Sequence, residues 1–165
     1  MKRAWMALAL TLVAGSASAL DLAGYTLGQP FTLQDRDAIA RHGAAGGFCE
    51  GPTCAGAAYL GDFDGKLSVT ADSTGKIAQI LVTVDSTSFR SLADSARAKY
   101  GKPTVATARA VQNAFGAVYR DAQAVWHRRD GDVVLWQRCA DMAHSCLMVA
   151  EPHFVPQSQR RKMAL

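Results

Sequence analysis

Between Lys66 and Val84 apolar residues fall on every second position, interrupted once by Asp72-Ser73-Thr74-Gly75. Leu67, Val69 and Ala71 share one side before the break, and Ala78, Ile80, Val82 and Val84 share one side after it. A period of two is what a half-buried strand needs, because successive side chains leave a strand in opposite directions. The four residues between the runs carry turn chemistry. The segment therefore predicts a β-hairpin with one apolar face, and such a face has to be buried against a second layer.

The next stretch supplies that layer. Ser86 or Ser88 opens a helix in which Phe89, Leu92, Ala96 and Tyr100 form one stripe. Arg97 and Lys99 sit near its C-terminal end, where the helix dipole favours cations. Gly101 suits a left-handed C-terminal cap, and Pro103 blocks continuation. Three strands follow, at Ala122–Arg128, Asp132–Arg138 and Ser145–Ala150, with Asp130-Gly131 as a tight turn. Trp126 and Trp136 then lie in neighbouring strands as a cross-strand pair, which is core if it faces the helix stripe, the expected placement, and a contact patch if it faces away. Thr104 to Tyr119 mixes an Ala-rich, β-branched start typical of a strand with a turn-like Asn113-Ala114-Phe115-Gly116.

Upstream, Gly24 to Pro30 is an extended segment followed by a turn. Thr32 with Asp35 caps a short helix that runs toward His42, and Gly43 stops it. Gly43 to Gly47 is a flexible joint leading into Cys49–Cys54, where Gly51-Pro52 forces a turn. The expected fold class is α+β: two layers, a mainly antiparallel β-sheet covered by one long amphipathic helix, with a short N-terminal helix. An apolar content of 49% and a charged content of 19% fit a folded chain. Residues 20–156 are long enough for a single domain with its own core, and residues 157–165 form a frayed tail.

The first nineteen residues predict where the protein works. Lys2 and Arg3 precede an apolar run from Trp5 to Gly15, and Ala17-Ser18-Ala19 places small residues where a signal peptidase cuts. This is a secretory signal peptide, residues 1–19, with a mature chain starting at Leu20. The run is too short for a membrane span, and no other apolar stretch approaches that length. A short leader suits export to a bacterial periplasm.

Export changes the meaning of the charge. The full chain has a net charge of +4, but Lys2 and Arg3 leave with the leader, and Arg160, Arg161 and Lys162 belong to the tail. The body between is close to neutral, with no clustered basic footprint for phosphate contacts, so nucleic acid is not an expected partner. The body is also divided. Residues 20–75 carry seven acidic and three basic side chains, whereas residues 76–156 carry seven acidic and ten basic ones. Such polarity orients a partner if the fold keeps the halves apart.

Four cysteines form two local pairs, Cys49 with Cys54 and Cys139 with Cys146. In an oxidising compartment these are disulfides. Loops this short each contribute about 2 kcal/mol at most on the chain-entropy model. Cys139, His144 and Cys146 with Asp141 have the ligand softness for zinc, but thiols that oxidise cannot hold it, so no metal and no cofactor is expected. Asp62-x-Asp64-Gly65 lacks the ligand series that a calcium loop requires. Neither pair has the C-x-x-C spacing of redox catalysts.

No nucleophile motif such as G-x-S-x-G occurs. An enzyme would have to use a histidine with a nearby carboxylate, His127 or His42 being the candidates in a small periplasmic hydrolase. The stronger expectation is recognition without catalysis. A loop closed by Cys49 and Cys54, carrying Glu50, Gly51, Pro52 and Thr53, is pre-organised, and rigidity lowers the ordering cost of binding. The spacing of its two cysteines is similar to that in one class of exported lysozyme inhibitor; that likeness covers this loop alone and carries over no functional residue. The sequence therefore points to an exported protein-binding module, an inhibitor or envelope accessory protein whose partner is an envelope or secreted protein.

Overall fold

The structure is a computed structural model that describes residues 20–41, 46–60, 63–112, 115–139, 141–152 and 154. The leader, the tail, the end of the first helix at His42 and Gly43, Asp62 and His153 lie outside the described residues. Alternation between Lys66 and Val84 produces two strands, β5 (Phe63–Ala71) and β6 (Ile77–Asp85), paired antiparallel. Asp72 builds the turn between them. Its Oδ1 accepts the backbone N–H groups of Thr74 (2.7 Å) and Lys76 (3.0 Å) and the Thr74 hydroxyl (2.8 Å).

On the N-terminal side of this hairpin lie β3 (Phe48–Glu50) and β4 (Thr53–Leu60). On the other side, β6 pairs with β10 (His144–Ala150), followed by β9 (Gly131–Trp136), β8 (Val118–Arg128) and β7 (Val105–Gln112). The result is one eight-stranded antiparallel sheet in the order β3-β4-β5-β6-β10-β9-β8-β7. A two-stranded ribbon, β1 (Asp21–Leu22) with β2 (Tyr25–Thr26), forms a separate small sheet and, with its flanking residues, packs Leu20, Leu22 and Leu27 into the main core. The sheet strands drawn from residues 20–75 thus lie on one side of the β5/β6 boundary and those from residues 76–156 on the other, but the acidic and basic halves of the chain are not kept apart, since Asp21 pairs with Lys99 at 2.6 Å.

Two helices complete the α+β domain. In α1 (Leu33–Arg41), Asp35 Oδ2 accepts the Thr32 N–H (2.9 Å) and hydroxyl (2.6 Å), and Thr32 Oγ1 accepts the Asp35 N–H (3.2 Å). This is the reciprocal cap that Thr-x-x-Asp spacing implies. The second helix, α2 (Phe89–Tyr100), buries Leu92, Ala93, Ala96 and Tyr100. These four and Ile39 of α1 join Val69, Ile80, Val82, Val133, Leu135, Leu147 and Val149 in one buried cluster, so both helices serve the same face of the sheet.

Two expectations change. The covering helix is twelve residues, roughly 18 Å at 1.5 Å per residue. Eight strands spaced about 4.8 Å apart span roughly 34 Å, so no helix of this length covers the face alone, and α1 takes part of it. Ser88 stands at the N-cap position of α2, as expected, but makes no side-chain cap hydrogen bond. Ser86 to Ser88 form a 3-10 turn, and Asp85 Oδ1 accepts the Thr87 N–H (2.8 Å) at its start. Gly101 does have a positive φ, 84°, and its N–H reaches Arg97 O.

The tryptophans are not a pair. Trp126 faces Val133 and Trp136 faces Gln123 in the β8–β9 register. Trp126 belongs to the cluster under the helices, whereas Trp136 packs with Val125, Val134 and Met148 on the opposite face. Strand parity explains this: ten positions separate the two, and crossing a tight turn does not restore them to facing partners. Within Thr104 to Tyr119, Val105–Gln112 is β7 and Val118 begins β8; Asn113 and Ala114 of the turn-like tetrapeptide lie outside the described residues.

Candidate functional site

The disulfide-closed hairpin sits at the β3 edge of the sheet. Cys49 and Cys54 face one another across β3 and β4, with Cα atoms 4.0 Å apart and the sulfurs bonded. Gly51 and Pro52 make the two-residue turn, and Gly51 has φ 54°, which a first-position glycine accommodates without steric cost. Glu50, Gly51 and Pro52 are exposed, while Thr53 is half-buried.

The turn is held from outside as well as by its disulfide. Arg36 of α1 donates from Nη2 to Gly51 O at 2.8 Å. Ala71 N–H, at the end of β5, donates to Pro52 O at 3.0 Å. The hydroxyls of Thr53 and Thr70 are 3.0 Å apart. All four residues named from the sequence thus share one rigid turn, with Glu50 directed to solvent.

Sequence reasoning missed a neighbour. Phe48 lies two positions from Glu50, hence on the same side of β3, and is 52% exposed. Lys66 Nζ stands 5.3 Å from its ring centroid, a cation–π distance. An aromatic beside a disulfide cysteine was the available signal. Tyr59, 77% exposed on β4, shares that side by strand parity.

Helix α1 is seated on this edge by two glycines. A Cβ at Gly56 would stand 2.3 Å from Ile39 O, and one at Gly47 would stand 2.4 Å from the same oxygen. Gly47 is therefore a point of close approach and not part of a flexible joint; its N–H donates to Ala40 O at 2.8 Å.

Two described histidines, His127 among them as expected, have a carboxylate within hydrogen-bond reach. His127 Nδ1 meets Asp132 Oδ1 at 2.9 Å across β8 and β9, on a solvent-facing stretch of the sheet. His144 Nδ1 meets Asp141 Oδ1 at 2.7 Å, and both line an open groove of about 600 Å³ with Asp64, Lys66, Thr83 and Asp85. Asp141 Oδ1 also accepts the Ala143 N–H at 2.8 Å, so the His144 contact is part of the turn within the second disulfide loop. His42 lies outside the described residues. Cys139 and Cys146 are bonded, which removes the thiolates that zinc ligation would use. Among the described residues no three His, Cys, Asp or Glu side chains converge on a metal position.

Two carboxylates in the groove are held below the usual range. The Thr87 hydroxyl and then its N–H lower Asp85, and His144 and then the Ala143 N–H lower Asp141. A carboxylate with a depressed folded pKa favours the folded state above its unfolded value near 4, and that contribution vanishes as pH falls through the folded value. Asp141→Asn is therefore expected to lower Tm at pH about 6 and to converge with the parent protein at pH about 2. Parallel Tm curves for the two proteins would contradict this.

No family model, curated protein or solved structure matches the chain. No described helix is long and apolar enough to cross a membrane.

Proposed function

We propose that this chain is an exported, non-enzymatic protein-binding module of the bacterial periplasm, of the inhibitor or envelope-accessory kind. It meets an envelope or secreted protein through the Cys49–Cys54 hairpin. The observation that carries this reading is the anchoring of Glu50-Gly51-Pro52-Thr53 by a disulfide, by Arg36 and by Ala71. A turn fixed before contact loses little freedom on binding. Phe48 beside it supplies an exposed aromatic of the kind that dominates protein interfaces. The exposed carboxylate of Glu50 at the turn suits a basic side chain on the partner. Export rests on the leader, Met1 to Ala19, and on the two disulfides.

The test is capture of a stoichiometric partner from a native envelope extract by the immobilised protein. Glu50→Arg and Phe48→Ala are each expected to weaken capture about tenfold, the effect of losing a central interface residue. Val118→Ala, at the other end of the sheet, should leave it unchanged. Full retention by both hairpin variants and by Cys49→Ser would show that the hairpin is not the contact.

The His144–Asp141 contact inside a groove favours a second reading, a small hydrolase in which the imidazole takes a proton from water and the carboxylate orients the ring. Ester or amide hydrolysis lost on His144→Ala would support it. Identical rates for parent and variant would remove it.

A further inference from the structure

The two edges of the sheet are finished in opposite ways. β3 is three residues long, closed by a disulfide and flanked by α1. At the far edge, β7 runs eight residues in unbroken register with β8, and every residue but the half-buried Val111 is exposed. Alternate residues turn their backbone N–H and C=O groups away from β8, and among the described residues no strand lies beyond to receive them. The strand has no proline, no lysine and no bulge, three of the devices that keep an edge from pairing, and its one charge, Arg109, is paired with Asp121.

The sequence of β7 identifies what pairs with it. Val105-Ala106-Thr107-Ala108-Arg109-Ala110-Val111 reads the same in both directions about Ala108, except that Thr107 is mirrored by Arg109. Any antiparallel pair formed across a two-fold axis is isologous, residue i meeting j and j meeting i, and here the near-mirror sequence sets valine on valine and alanine on alanine with the axis at Ala108. We infer that β7 is a homodimer edge, pairing antiparallel with β7 of a second copy about Ala108, so that the two sheets become continuous.

Side-chain parity selects this register. Facing residues must point to the same side of the sheet, which allows the axis to pass only through a residue. Centred on Ala108, Val105 of one protomer faces Val111 of its partner, Ala106 faces Ala110, and Thr107 faces Arg109. Shifted to Arg109, the two guanidinium groups would face each other, a destabilising arrangement. In the Ala108 register each Arg109 keeps its own Asp121, 3.6 Å away, and gains a Thr107 hydroxyl opposite. Seven paired residues make a contact roughly 24 Å long at about 3.4 Å per residue. The stapled hairpins end up at the two outer edges of the joined sheet, so this inference is independent of what those hairpins bind.

Charge at position 107 tests both the dimer and its register. Sedimentation equilibrium of the purified exported protein, from about 1 to 100 µM, is expected to show a monomer–dimer equilibrium. Thr107→Glu places a carboxylate opposite each Arg109 and should tighten the dimer about fivefold; Thr107→Arg places like charges there and should weaken it about fivefold. Within one chain position 107 lies diagonal to Asp121 and two residues from Arg109 on the same face, so its charge meets opposing neighbours there, and the Tm of each variant at low concentration separates a change in folding from a change in pairing. A chain that stays monomeric across the range overturns the inference, as does a dimer whose dissociation constant neither variant moves.

Discussion

Trp126→Ala is expected to lower the unfolding free energy by about 3–5 kcal/mol, the range for removing a buried aromatic. Trp126 is 2% exposed, its ring lies 6.3 Å from that of Tyr100, and its Nε1–H donates to Gly101 O at 2.8 Å. It thus joins three things: strand β8, the last turn of α2 and the carbonyl at the helix end. Domains of this size are stable by about 5–15 kcal/mol, so the loss is a large fraction of the whole. Urea titration followed by far-ultraviolet circular dichroism measures it, with the slope unchanged if only stability has moved. Trp136→Ala, half-buried on the opposite face, is expected to cost less, about 1–2 kcal/mol. Equal costs for the two would contradict the placement of the main core beneath the helices.

Gly56→Ala should destabilise the domain by about 3 kcal/mol, the upper part of the range for overpacking. The added methyl carbon would stand 2.3 Å from Ile39 O and 3.3 Å from Ile39 C and Cγ2. Backbone on both sides blocks relief by a rotamer change, so α1 has to lift from β4. Ile39 is the buried residue of α1, and lifting it opens the core at this edge and slackens the Arg36 contact to Gly51. Urea titration reads the stability. A loss below about 0.5 kcal/mol, as for an unconstrained surface position, would mean that the helix is not seated on these glycines.

The parts of the fold that were legible are those with strong local signals. Alternation marked β5 and β6, the stripe with Gly101 and Pro103 marked α2, and Thr32-x-x-Asp35 marked the cap of α1. β4 was not legible, because Ala55, Gly56, Ala57 and Ala58 are too small to show a period of two. The missing side chain at Gly56 serves a contact seventeen residues away in sequence, the approach of Ile39 in α1, and spacing cannot register such a contact. The opposite faces of Trp126 and Trp136 depended on register across the turn, which composition does not set. At the candidate site the disulfide and its turn residues were visible. The three anchors and Phe48 were not, since Arg36, Ala71 and Thr70 reach the turn only through the tertiary fold.

The intact mass of the protein recovered from the periplasmic fraction, measured without reductant, tests most directly whether this is an exported module stapled by disulfides. The expected species begins at Leu20 and is lighter by four hydrogens than the fully reduced chain, for two bridges. Full-length protein recovered from the cytosol with four free thiols would contradict the account.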